Sequence, residues 1–351
     1  MDAEKTRTRP LGIVINPVSG RDARRLFARA LSSSNESKRN QVERILVGAA
    51  AAGVERVILV HDSFRIAQAA VEAIGVDLEI DLRNIGASCK PHDTRNAVEL
   101  MREAGCGALA VLGGDGTSRV VADTWSEAPI LPLSTGTNNV FPFMLEATIA
   151  GAAAGLVAAG RVPIGEAAER AKLVRIRIED QKDDLALIDA VHMVDDSTGN
   201  LLPFDPRCMR TLVLSRAIPS AVGMSPVGGL LEPCSAADDW GVVVDCVAPE
   251  ADGRTLLAPI SPGLYRSVRV TGFRRIALGE PIAVEGPGLL AFDGDRERRL
   301  EPGQRAWLSV ERDGPFVIDA DATLRGAAER GVYLDRSHWH DHRDDVGLDC
   351  C

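Results

Sequence analysis

Apolar residues along the chain follow two textures. In the first, short runs read as strands buried on both faces: Leu11-Gly12-Ile13-Val14-Ile15, Val57-Ile58-Leu59-Val60, Ala108-Leu109-Ala110-Val111-Leu112 and Ile130-Leu131-Pro132-Leu133, with Asp77 to Leu82 as a further strand. Helical spacing separates them. Leu26, Phe27, Ala30 and Leu31 share one side of a helix, and Gln41 to Ala52 forms another after a polar loop from Ser32 to Asn40. Asp62 or Ser63 caps a helix carrying Ile66, Ala70 and Ile74, Asp93 caps one with Val98 and Met101 facing inward, and Ser118 to Trp125 is a fourth. Strands alternating with helices predict a doubly wound parallel α/β sheet over residues 11–145.

An Ala-rich connecting helix over 146–170 follows, with Gly151 and Gly155 as small contacts. The second texture begins near Lys172, where Leu173-Val174-Arg175-Ile176-Arg177-Ile178 alternates apolar and charged positions. Short runs continue at Ala186 to Met193, Thr211 to Leu214, Val242 to Cys246, Ser267 to Val270, Ile282 to Val284, Gly288 to Phe292, Arg305 to Val310 and Pro315 to Ile318. Gly, Pro and Asp punctuate them, which predicts an all-β sandwich domain over 171–320. A C-terminal helix over 321–335 and a polar tail over 336–351 close the chain.

Composition narrows the classes. A chain of 351 residues with 45% apolar content is an ordinary globular protein of about two domains. A formal net charge of −10 argues against a nucleic-acid partner. No apolar run reaches the ~20 residues of a membrane helix, so no membrane partner is expected. The N-terminus has no secretory pattern, and the chain reads as cytoplasmic with reduced, mostly core-filling cysteines. The oligomeric state stays open, a homo-oligomer included.

The strongest chemical signal is Gly113-Gly114-Asp115-Gly116-Thr117, between a buried strand and a helix N-terminus. Residues without Cβ let a phosphate approach the backbone, and free N–H groups with the helix dipole favour its charge. An acidic residue inside such a loop repels phosphate. Asp115 therefore reads either as a helix cap or as a group that takes a proton or holds a cation during phosphoryl transfer. Neither a Walker A loop nor the Rossmann glycine fingerprint is present.

Three turns in order, Asn16-Pro17-Val18-Ser19-Gly20, Gly113 to Thr117 and Ser134-Thr135-Gly136-Thr137-Asn138-Asn139, resemble the successive motifs of the NAD kinase and diacylglycerol kinase superfamily. Pro219 to Gly229 resembles the second glycine turn of NAD kinases, Ala258-Pro259-Ile260-Ser261-Pro262 their T-P-I-C-P, and Phe292-Asp293-Gly294-Asp295 their V-D-G or the D-G-E of lipid kinases. The likeness spans residues 11–335 and is strongest to the ATP-NAD kinase-like proteins of the acetoin catabolism protein X type. Each motif falls where the patterning puts a turn.

The resemblance implies a kinase that transfers phosphate from ATP, or polyphosphate, with Mg²⁺, to a hydroxyl. It makes Asp115 catalytic and places Asn16, Gly20, Gly113, Gly114, Gly116, Thr117, Thr135, Gly136, Thr137, Asn138 and Asn139 at the nucleotide. Asp189, Ser220, Ser225, Gly228, Gly229 and Asp293 would meet the acceptor. The 2′-hydroxyl of NAD ranks first as acceptor, followed by another small hydroxyl compound or a lipid headgroup. Departures are present: the Asn-Glu pair of NAD kinases is here Asp189-Ala190, and Met224 stands near the place of a Tyr. A nucleotide-binding accessory protein that has lost the reaction is the rival reading.

Local alternatives remain. Asn16 could simply end a strand, Asn138 and Asn139 could be ordinary turn residues, and Asp293-Gly294 a plain hairpin turn. No dedicated metal-ligand set is read from the sequence. His338, His340 and His342, with Cys350 and Cys351 behind them, fit either a solvated tail or a transition-metal site.

Overall fold

The computed structural model describes residues 8–20, 34–136, 138–200 and 202–334. The helix expected around Leu26 to Leu31 and the tail beyond residue 334 lie outside them. In the first domain the chain runs β1 (Leu11–Ile15), α1 (Asn35–Ala51), β2 (Arg56–Val60), α2 (Ile66–Ala73), β3 (Glu79–Arg83), α3 (Pro91–Glu103), β4 (Ala108–Gly113), α4 (Asp115–Thr124) and β5 (Pro129–Ser134). The connector holds α5 (Ala147–Ala158), α6 (Ile164–Ala167) and β6 (Ala168–Arg170).

The second domain holds β7 (Leu173–Ile178), β8 (Asp184–Ala186), β9 (Asp189–Met193), β10 (Met209–Leu214), α7 (Ser225–Gly229), β11 (Trp240–Cys246), β12 (Arg254–Ser261) and β13 (Leu264–Ala277). It continues through β14 (Ile282–Glu285), β15 (Gly288–Phe292), β16 (Asp295–Leu300) and β17 (Arg305–Glu311). Last come β18 (Phe316–Ile318) and α8 (Ala320–Glu329).

The first sheet has the order β3-β2-β1-β4-β5-β18-β6, parallel except for its last pair. Its central strands are buried on both sides, which is why β1 and β4 read as continuous apolar runs, while β3 at the edge carries charge. Ile13 and Leu59 join α1, α2 and α5 on one face; Val14 and Val111 join α3 and α4 on the other. Helix α5 meets α1 backbone to backbone, because a Cβ at Gly48 would collide with the Thr148 carbonyl and one at Gly151 with that of Ile45.

The sandwich packs a seven-stranded sheet, β12-β13-β11-β10-β9-β15-β16, on a four-stranded one, β14-β17-β7-β8. Val213, Val243, Leu290 and Phe292 meet Val174, Ile176 and Leu308 between them. The two domains share a core: Leu173, Leu185, Leu187 and Ile188 join Val111, Val121 and Phe141. Among the described residues no helix is long and apolar enough to cross a membrane.

Several elements differ from the sequence expectation. The polar stretch before Gln41 is helical from Asn35, because Ser34 Oγ accepts from Ser37 N (3.0 Å) and Glu, Lys and Arg are good helix formers. Asp93 sits inside α3, which starts at Pro91, and its carboxylate turns back to the N–H groups of Ser88 and Cys89 (2.7 Å each). Asp62, not Ser63, serves α2, accepting from Ala67 N at 2.9 Å. Ala258 to Ser261 lies in strand β12 rather than in a turn, and β16 was not apparent because Asp295-Arg296-Glu297-Arg298-Arg299 is almost wholly charged. Phe316–Ile318 leaves the sandwich and pairs parallel to β5 in the first sheet, a placement that a three-residue strand does not announce.

Candidate active site

Strand β1 lies between β2 and β4, and the chain order reverses there, so the carboxyl ends of β1 and β4 diverge around a crevice. That crevice opens into a cavity of about 810 Å³, walled by the first domain's loops on one side and by the second domain on the other.

Three loops of the first domain are pinned together at its floor. Asn16 Nδ2 donates to Thr117 Oγ1 at 2.8 Å, while Asn16 Oδ1 accepts from the N–H groups of Val18 (3.0 Å) and Ser19 (3.1 Å). Thr135 Oγ1 donates to Ser19 Oγ (2.9 Å), and Asn139 Nδ2 to Ser134 Oγ (2.8 Å). The fully buried Lys38 threads under the first loop, its Nζ donating to the carbonyls of Asn16 (3.0 Å), Pro17 (2.7 Å) and Ser19 (2.6 Å). Glycine is required where these loops touch: a Cβ at Gly113 would sit 2.5 Å from that of Thr117, and one at Gly114 2.8 Å from Asn139 Oδ1. The first turn of α4, from Asp115 to Thr117, lines the cavity, and its N–H groups have no partner within the helix.

Asp115 does not cap its own helix. Its Oδ1 accepts from Phe141 N (2.8 Å) and Val140 N (3.1 Å), which fastens the loop after β5 across the cavity floor. Loss of solvent and the nearby Asp293 push its pKa up to about 7, against the two backbone donors and Arg216. Asp293 and Gly294 occupy the two-residue turn between β15 and β16, both at positive φ (47° and 90°), as a tight hairpin of the I′ kind demands. The Asp293 carboxylate also accepts from Ile188 N (2.7 Å), Leu187 N (2.8 Å) and Asp189 N (3.3 Å). Burial raises its pKa, opposed by Arg119 and these donors.

Asp189, 6% exposed, begins β9 and lines the cavity with Oδ1 buried and, among the described residues, without a hydrogen-bond partner. Burial, then the charges of Asp293, Asp115 and Asp295, hold its pKa well above the carboxylate range. Two arginines attend the three acids. Arg216, 5% exposed, stacks over Phe141 (4.6 Å) and is pushed down to about 10 by burial, against Asp115 and Asp293. Arg119 of α4 pairs with Glu297 (2.5 Å) and Asp184 (3.7 Å); burial would lower its pKa, but Asp293, Glu297 and Asp184 raise it.

The structure therefore gathers Asn16, Gly20, Gly114, Asp115, Gly116, Thr117, Thr135, Asn138, Asn139, Asp189, Ser225 and Asp293 around one cavity. Gly113 and Gly136 stand in the same turns without lining it, and Thr137 lies outside the described residues. The Ser225 hydroxyl is spent on Arg216 O (2.8 Å) and Ile218 N (2.9 Å). Ser220 is exposed away from the cavity. Gly228 and Gly229 are packing glycines: a Cβ would strike Leu214 at the first and the Ile218–Pro219 backbone, 2.6 Å away, at the second. Ala190 faces the core between the sheets. Lys38, Arg119 and Arg216 were not read as site residues. Arg119 carried a signal, one helical turn after Asp115; Arg216 carried only its place as the first charge after an apolar strand.

Comparison with known proteins agrees with this architecture. Residues 11–162 match the ATP-NAD kinase N-terminal domain, and residues 172–313 match the acetoin catabolism protein X C-terminal domain. Among solved structures, yeast NADH kinase complexed with NADH is similar at 13% identity and a TM-score of 0.47, covering 95% of this chain and 90% of that one. A diacylglycerol kinase from Bacillus anthracis has 10% identity and a TM-score of 0.43, over 90% of this chain and 98% of its own. An NAD kinase from Archaeoglobus fulgidus in complex with ATP has 13% identity and a TM-score of 0.39, over 80% and 100%. The first domain is thus of the ATP-NAD kinase N-terminal type. Acetoin catabolism protein X of Cupriavidus necator is 36% identical over 329 residues, 90% of this chain and 92% of that protein, so the chain belongs to the acetoin catabolism protein X family.

Proposed function

We propose that this protein is a phosphotransferase that passes a phosphoryl group from ATP to a hydroxyl compound bound between its domains. The observation that carries the reading is Asp115: a carboxylate at the mouth of a glycine turn, held by backbone N–H groups, with a pKa of about 7. A base is most effective when its pKa lies near the working pH. The acceptor O–H bond breaks as its oxygen attacks the terminal phosphorus, Asp115 takes the proton, and ADP leaves. The α4 N-terminus and Arg119 offset charge on the phosphoryl oxygens.

The residues fit Mg²⁺ as a companion of the nucleotide. Among the described residues no group of three or more His, Cys, Asp or Glu is arranged to hold a metal alone. Mg²⁺ commonly uses only one or two carboxylates and completes its shell with phosphates and water. Asp295, which borders the cavity with Oδ2 3.5 Å from the Cβ position of Gly116 in the glycine turn, would hold it. When bound there, the ion would supply charge neutralisation at the phosphates.

The name of the 36% identical relative places that protein in acetoin catabolism, and we carry this setting over as part of the proposal. The test is ADP release from ATP and Mg²⁺ against a panel of hydroxyl compounds that includes NAD, with nucleotide affinity measured by calorimetry. Acceptor-dependent release supports the reading. Nucleotide binding with no turnover on any acceptor would favour the accessory-protein alternative.

A further inference from the structure

The second-domain wall of the cavity differs in kind from the glycine-loop floor. Strand alternation sends Asp189, Val191 and Met193 to one face of the seven-stranded sheet and Ala190 and His192 to the other. On the first face Val191 and Met193 belong to one apolar cluster with Phe204, Met224 and Ile260. Phe204, Met224 and Ile260 also line the cavity, so Asp189 stands at the head of an apolar surface that opens onto the site. Arg296 holds this surface in shape. It stacks over Phe204 (4.2 Å), pairs with Asp196 (3.0 Å) and donates to the carbonyls of Asn200 and Leu202 (2.9 Å each).

The wall's charges lean negative. Arg296 is tied to Asp196 and Arg298 to Asp184 (3.1 Å), and Lys182 lines the cavity at an exposed position, against the acids Asp183, Asp184, Asp189, Asp293, Asp295 and Glu297 on the same wall. A dinucleotide acceptor would bring two phosphates against these carboxylates. An uncharged one would not, and it would satisfy a buried oxygen that otherwise has no partner among the described residues, a costly condition for a polar atom.

We propose that this wall is the acceptor subsite and takes a compact, uncharged diol or hydroxyketone. Its polar edge would bond Asp189 while its carbon skeleton lies on Phe204, Met224 and Ile260. The proposal rests on the phosphotransfer reading only for the fate of the bound compound.

The experiment uses the full chain and separates the two claims. Saturation-transfer NMR and calorimetry would measure binding of butanediol, hydroxybutanone, glycerol phosphate and NAD without nucleotide, and ADP release with ATP and Mg²⁺ would follow. The expected result is that the two uncharged probes bind in preference to the two anionic ones. Asp189→Leu should weaken them by on the order of ten- to a hundredfold with nucleotide affinity unchanged, and Asp189→Asn, which keeps a donor and an acceptor, should stay within a few-fold of wild type. Tighter binding of NAD or glycerol phosphate, no binding of either uncharged probe, or unchanged affinity in a folded Asp189→Leu would each overturn it. Binding of the uncharged probes without ADP release would leave the subsite standing and remove the phosphotransfer reading; ADP release with NAD alone would do the reverse.

Discussion

The two turns that meet at the cleft, Gly113 to Thr117 and Asp293-Gly294, use the same residue types for different ends. Each places an aspartate whose carboxylate accepts backbone N–H groups from a neighbouring segment, and each thereby fastens the chain beside it. Asp293 is the more heavily anchored, with donors from three consecutive residues, and its turn geometry is that of an ordinary tight hairpin. Asp115 has donors from two residues of the loop after β5 and sits at a helix N-terminus, while both carboxylates border the cavity. The contrast teaches that the element an acidic turn residue opens matters: at a helix N-terminus it stands where the dipole and free N–H groups draw a phosphate, whereas in a tight hairpin it only braces its neighbours.

The largest effect should come from removing the one at the helix N-terminus. Asp115→Asn keeps an oxygen for the Val140 and Phe141 donors but takes no proton, so turnover should fall by roughly 10²–10⁴ while nucleotide affinity and melting temperature stay near wild type. Asp293→Asn, by contrast, should chiefly lower the melting temperature. Steady-state ADP release and thermal melts on both variants decide it, and equal losses of turnover at equal stability would erase the distinction between the turns.

Arg119→Met tests how far the floor depends on the opposite wall. It breaks the pairs with Glu297 and Asp184 that join α4 to the second domain, at a cost of about 1–3 kcal/mol in urea unfolding. Gly113→Ala tests the floor alone. The new methyl meets the Thr117 side chain, so a stability loss of ~1–3 kcal/mol should be accompanied by weaker nucleotide binding. Gly228→Ala, which crowds Leu214 away from the cavity, should cost stability but leave nucleotide affinity unchanged.

The smallest effect is a pH dependence. Turnover should rise as pH passes through about 7, where Asp115 loses its proton. The stability sign is opposite. The folded-state pKa lies above the ordinary 3.8, so Asp115's contribution to stability is complete below that value and is lost as pH rises towards about 7. Wild-type melting temperature should therefore decline between those limits more steeply than that of Asp115→Asn, and parallel curves would show that Asp115 titrates as an ordinary carboxyl.

Much of this arrangement was legible before any tertiary contact was known. The glycine turns at Asn16 and Gly113 were placed at strand ends by the apolar runs before them, and the change of period near Lys172 marked the second domain. Gly228 and Gly229 misled because a packing glycine and a ligand-approaching glycine are the same residue in a sequence; only the proximity of Leu214 and Ile218 separates them. Lys38 gave no signal of its own: it lies in the polar stretch from Ser32 to Asn40, and only the tertiary structure buries its ammonium against three carbonyls.

The amino-acid sequence by itself determined the two textures, hence a parallel α/β sheet and a β-sandwich, and the turns where a phosphate could lie. Period and turn chemistry are properties of neighbouring residues, so they survive being read one segment at a time. The tertiary structure decided what depends on segments far apart in the chain. Phe316–Ile318 returns to the first sheet, Arg216 comes within electrostatic reach of Asp115, and one oxygen of Asp189 is left without a partner among the described residues. The pKa of Asp115 belongs to the same class, because solvent loss and the charges of Asp293 and Arg216 set it, and none of these exists until the two domains close on one cavity.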